Sequence, residues 1–229
     1  MSQAFAPKTL SREFAMPGYL TRQLAVRAHR LLRRWQTDTR GVAAVEFALI
    51  APIMVMMFVG AVELSQVITV DRRVTQVASS AADLVARADK TISQTEITDI
   101  MRVGSYLLKP YTANPLQIVV RNVSSSPANA TVTKQSWSCS YNGTGQTQTC
   151  ACSNTSFTLP ANLVTTNDSV VVAEVTYAYV PLIFNTFMKN AFGGTGASYA
   201  LTETIYLKPR SQTAMLMQAN NTPCPSPTF

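Results

Sequence analysis

Setting aside the first 41 residues and one long apolar run, about 165 of the 229 residues remain, enough for one domain with its own core. The net charge of +7 sits at one end: residues 1–40 carry eight of the 19 Lys and Arg but only two of the 12 acids. A charge confined to one flank argues against nucleic-acid binding, which needs basic residues across a folded surface.

Residues 1–20 are mixed, hold Pro7, Pro17 and Gly18, and read as an unstructured tail. In 21–35, Leu24, Ala28, Leu31 and Leu32 share one side with arginines around them. Two readings stand for this segment: a basic amphipathic helix against an anionic inner leaflet, or a positive leader that only sets topology. Either way the positive-inside rule places the N-terminus in the cytoplasm.

Val42–Val62 follows, 21 residues interrupted only by Glu46, Pro52 and Gly60. As a helix it would reach roughly 32 Å, the thickness of a hydrocarbon core, so it is predicted to span a membrane. Pro52 withholds one backbone hydrogen bond and is expected to kink or loosen the helix. An acidic side chain inside such a run costs roughly 2.5–3.5 kcal/mol at mid-membrane and less near the interface. Glu46 therefore either stays wet among headgroups or meets a positive charge. A cut between Gly41 and Val42 would create an amine four residues from Glu46, one helical turn away. A secretory signal peptide cleaved after Ala61 is the competing scheme, but both its basic and its apolar regions would be too long.

The run RGVAAVEFALIAPIMVMMFVGAVEL, with Gly41 before a hydrophobic helix and Glu46 as that helix's fifth residue, resembles the processing site of type IV prepilins. Its wording, with the Glu46-Phe47 pair and a polar helix after it, is similar to the TadE-like minor pilins (pseudopilins) of tight-adherence, or Flp, pilus systems. The resemblance is strongest over Arg40–Ala88. It implies cleavage after Gly41 by a prepilin peptidase, Val42 as the new N-terminus, and Glu46 as the carboxylate needed for assembly. It also implies other pilins and an inner-membrane assembly platform as partners. A proline such as Pro52 is common in pilin helices. Asp168-Ser169 stands without the rest of the metal motif found in the larger von Willebrand-type relatives.

Beyond Val62 the helix is expected to continue to about Ala88. Val67, Val70, Val74, Val77, Ala81, Leu84 and Ala88 form a one-sided stripe opposite Asp71, Arg72, Arg73, Gln76, Asp83 and Arg87. Ser93-Gln94-Thr95-Glu96 is a capping box opening a second helix with Ile97, Ile100, Met101 and Leu107 in register, ended by Pro110. Period-two runs at Leu116–Arg121, Val171–Tyr179 and Tyr199–Leu207, with a weaker one at Thr131–Trp137, predict three or four antiparallel strands under the stripe. Ser138–Thr158 reads as a polar segment around an Asn142-Gly143 turn, and the proline-rich C-terminal tail as loose. For Pro181–Phe192, rich in phenylalanine, core burial and an exposed patch facing another pilin or the bilayer are both open.

All four cysteines, Cys139, Cys150, Cys152 and Cys224, lie beyond the span, as disulfides in an oxidising compartment would. Three pairings are open, Cys139–Cys150 with Cys152–Cys224 being the plainest. The only histidine, His29, lies on the other side of the span, so a zinc site lacks ligands. No nucleophile elbow, phosphate loop or zinc-protease motif is found, and neither an enzyme nor a cofactor is expected.

The sequence thus predicts an α+β pilin-like protein: a long N-terminal transmembrane and amphipathic helix on a small antiparallel sheet, with disulfide-containing loops. Its segments are a basic cytoplasmic leader (1–41), a span (42–62) and an exported domain (63–229). Within the last lie a helix extension (63–90), a second helix (93–109), a sheet region (116–210) and a tail (211–229). The expected location is the bacterial inner membrane, single-pass, head in the periplasm, or the cell surface within a pilus. The rival reading is an uncleaved anchored envelope protein with a ligand-binding or scaffolding domain.

Overall fold

The computed structural model describes residue 29 and residues 41–88, 91–193, 198–210, 215–219 and 222–229. The leader helix expected in 21–35 lies outside the described residues, apart from His29. The chain divides into two compact units, residues 1–56 and 57–229. Helix α1, Val42–Ala86, contributes to both.

In the second unit α1 supplies Val70, Val74, Val77, Ala78, Ala81, Ala82, Val85 and Ala86, all buried. The covered side turns toward Ala82 and Ala86 in the last two turns, where alanines let the backbone come close. Leu84, expected in the stripe, falls at its rim and is 40% exposed. The helix stops at Ala86, two residues short of the expected end. There Arg210 takes over: its backbone N–H donates to Ala86 O (3.0 Å) and its guanidinium to Asp83 Oδ1 (2.7 Å).

A three-residue strand, β1 (Thr91–Ser93), leads into α2, Gln94–Leu107. The capping box closes as the sequence requires: Ser93 Oγ accepts from Glu96 N–H (3.2 Å) while Glu96 Oε2 accepts from Ser93 N–H (2.8 Å). The Ser93 backbone bond, followed by its hydroxyl, holds the Glu96 carboxyl below its ordinary value. Arg73 of α1 donates to Leu107 O (3.0 Å) and Lys109 O at the other end of α2, satisfying carbonyls the helix leaves open. Gly104 is what lets α2 seat so closely. A Cβ there would stand 2.8 Å from Ile118 Cδ1 and 2.9 Å from Val77 Cγ1.

The sheet has five antiparallel strands in the order β4-β3-β2-β5-β6. They are β2 (Leu116–Ser125), β3 (Thr133–Asn142), β4 (Thr147–Ser156), β5 (Ser169–Tyr179) and β6 (Tyr199–Leu207). Its inner face presents Leu116, Ile118, Val120, Trp137, Tyr141, Ala173 and Val175 to the same core as the α1 stripe and Ile97 and Met101 of α2. A bulge at Asn122/Val123 shifts the register between β2 and β3. Val123 joins Val170 and Val172 in a smaller cluster, packed with Phe157, Leu159, Leu163 and Tyr206.

Two segments differ from expectation. Ser138–Thr158 is a hairpin of β3 and β4 around the Asn142-Gly143 turn. β4 buries none of its side chains and so carries no hydrophobic alternation to read. The C-terminal region is not loose throughout: β7 (Leu216–Ala219) pairs parallel with β1 and antiparallel with β8 (Thr222–Pro223). Met215 and Met217 are fully buried, and Trp137 Nε1 donates to Met215 O at 2.7 Å.

Both cysteine pairs are disulfides, Cys139–Cys150 and Cys152–Cys224, the plainest of the three pairings. The first joins residues already opposite in the β3/β4 ladder. The second closes 72 residues of separation and ties the tail to β4. By chain entropy they disfavour the unfolded state by about 3 and about 4 kcal/mol.

Asp168 organises the approach to β5. Its carboxylate accepts from Ser169 N–H (2.8 Å) and Thr165 N–H (3.3 Å) and pairs with Lys208 (2.5 Å). Burial pushes its pKa up, but Lys208 and the two backbone N–H groups outweigh that and leave it below the ordinary value.

Two tests follow from this packing. Gly104→Val should destabilise the protein by about 1–3 kcal/mol through overpacking, read as a lower urea midpoint. Because the folded Asp168 pKa is depressed, its stabilisation is complete above the unfolded value and lost as pH falls through the folded one. Asp168→Asn should therefore flatten the acid limb of a melting-temperature profile; an unchanged limb contradicts the assignment.

Candidate functional site

The first unit shows the start of α1. Gly41 is exposed and a Cβ there would meet nothing within 4 Å, so packing gives no reason for a glycine at this position. Val42 opens α1 and Glu46 follows one turn later on the same face. Among the described residues no side-chain hydrogen bond or ion pair reaches Glu46, which is exposed, as is Phe47 at 68%. α1 runs on through Pro52, which offers no N–H to Ala48 O.

Apolar residues of this run face outward throughout: Leu49, Ile53, Met54 and Val55 here, and Met57 and Phe58 in the second unit, are 59–73% exposed. An uncovered surface of this kind is untenable in water. α1 is long and apolar enough to cross a membrane, as a single-pass protein requires.

In the second unit a further carboxylate lies just past the run. Glu63 is only 7% exposed, and its Oε1 accepts from the backbone N–H groups of Ile183 (2.6 Å) and Phe184 (2.8 Å). These are first-turn donors of α3, Leu182–Phe192, whose cap residue Pro181 has no side chain able to accept. α1 thus supplies from outside the cap that the local sequence lacks, and the positive end of α3 faces the charge. Tyr179 shares this corner, its hydroxyl donating to Gln66 Oε1 at 3.2 Å. Burial, then the Glu63 charge, then Tyr111 push the Tyr179 phenol above its ordinary value.

Core burial, one of the two readings of Pro181–Phe192, does not hold for the side chains described in α3. Leu182 is 76% exposed, and Ile183, Phe184 and Phe187 are 45–46% exposed. Sequence reasoning also passed over Glu63. The available signal was its position as the first charged residue after the apolar run.

Comparison with known proteins decides the affinity of the segment. Residues 41–83 match the family model described as TadE-like protein. This stretch is TadE-like. No curated protein and no solved structure matches the chain. The TadE-like stretch contains Gly41, Glu46, Phe47, Pro52 and Glu63, together with most of the α1 stripe.

Removing the cap should be measurable. Glu63→Ala should cost about 1–2 kcal/mol and speed amide exchange at residues 183 and 184, while Glu63→Gln, which keeps an acceptor, should cost less. Equal losses in the two variants would contradict a capping role.

Proposed function

We propose that this protein is a minor pilin or pseudopilin of a tight-adherence pilus system, a structural component rather than an enzyme. It is inserted with its N-terminus in the cytoplasm and its disulfide-bonded domain on the oxidising side. A prepilin peptidase cuts after Gly41, and the subunit then docks with other pilins and the assembly platform through α1. The observation that carries this reading is Glu46: a carboxylate without an ion pair among the described residues, at the start of an outward-facing apolar helix, one turn from Val42, inside the TadE-like stretch.

The chemistry is a charge pairing. Cleavage would leave an ammonium at Val42 and a carboxylate at Glu46. Two such groups in low dielectric attract strongly, but their desolvation offsets much of the gain. The pair, within a subunit or between neighbours, therefore sets the register of docking more than its strength. Gly41 serves the peptidase, which needs a small residue before the cut, and Pro52 leaves a weak point at which α1 can adjust on assembly.

Mass spectrometry of the protein recovered from membranes should find Val42 at the mature N-terminus. Gly41→Leu should retain the leader, and Glu46→Ala should be cleaved yet fail to restore piliation. A wild-type protein that keeps residues 1–41, or normal piliation by both variants, would overturn the proposal. The first result would leave an anchored envelope protein.

A further inference from the structure

We propose that α3 is a membrane-surface helix: its outward face lies in the interfacial layer of the same bilayer that α1 enters. The inference rests on reading the apolar run of α1 as a membrane span.

The first turn of α3 is apolar where a helix bathed in water would be polar. Leu182, Ile183 and Phe184 face outward, whereas Asn185 is half-buried with its Oδ1 fully shielded. Among the side chains described in α3, none belongs to either hydrophobic core. Packing within the domain therefore does not explain why Leu182, Ile183 and Phe184 are apolar. Eleven residues are too few to span a bilayer but enough to lie along its surface.

Position supplies the occupant. The Glu63 carboxylate bonds the first turn of α3 at 2.6 and 2.8 Å, and Glu63 is the next residue after Val62, the last of the apolar run. The start of α3 is thereby fixed within a side chain's length of the point where α1 leaves the hydrocarbon. Met57 and Phe58, less than two turns earlier on α1, are 72% and 70% exposed and need the same cover. A protein partner would have to displace lipid to reach this face, whereas the bilayer already adjoins it. Lys189, exposed in the last turn, suits anionic headgroups. The two N–H bonds let Glu63 remain in this partly desolvated corner without an unsatisfied charge.

The test uses the full chain in mixed phosphatidylethanolamine and phosphatidylglycerol vesicles. The four native cysteines are paired, so a thiol introduced by Leu182→Cys can be labelled with an environment-sensitive fluorophore. Val55→Cys marks the span and Gln117→Cys the exposed sheet; Phe184→Cys repeats the measurement within α3. The label at residue 182 should be blue-shifted, shielded from aqueous iodide, and quenched several-fold more than at 117 by lipids carrying a nitroxide near the headgroup. Iodide access equal to that at residue 117, with residue 55 still quenched by lipid, would overturn the inference alone. Shielding from iodide and lipid alike would overturn it in favour of a protein partner, such as a second copy. Failure of lipid quenching at residue 55 would remove the span reading and this inference with it.

Discussion

Glu63 puts a negative charge at the most demanding point of α1, where the helix passes from residues with no cover of their own to residues wholly buried. Its carboxylate is satisfied by two backbone N–H groups that α3 would otherwise leave open. Each side thus meets a need the other has: an ion that cannot stay unpaired out of water, and a helix whose cap residue is proline. The same economy recurs along α1, where Arg73 closes the carbonyl end of α2 and Asp83 binds Arg210. One helix therefore furnishes an apolar stripe and the polar contacts that orient its neighbours.

Much of this was legible because it is periodic. Val70, Val74 and Val77 announce a buried stripe, Ser93 and Glu96 a cap, and Val171, Val175 and Tyr177 a strand covered on one face. What was not legible lacks a local signature. β4 is mostly threonine, serine and other polar residues around two cysteines at a sheet edge, and nothing in its composition separates it from a loop. β7 is four residues long, and its parallel partner is more than a hundred residues earlier in the chain. The Glu63 contact joins residues 120 apart, and only the fold brings them together. For Phe184 and Phe187 of α3 burial and exposure were both open in the sequence, because composition does not say where a helix is placed.

The start of α1 presents the opposite situation. Gly41 has open space around it, and Glu46 has no side-chain partner among the described residues. Neither identity is explained by the fold of this chain taken alone. Both lie within the stretch that matches the TadE-like family model, and the role proposed for them above is one played toward other molecules. Gly104 shows the contrast: there the surrounding atoms leave no room for a methyl group, and the fold alone accounts for the residue.

β4 buries no side chain fully, and of its residues Cys150 alone packs against the core, so burial does little to tell it which residues of β3 to oppose. A slip by one position would turn all its side chains over at little cost in apolar contact. The bond between Cys139 and Cys150 removes that freedom by locking one opposed pair, and Cys152 then presents itself to Cys224. Thiol oxidation is therefore a checkpoint on alignment as well as a brace.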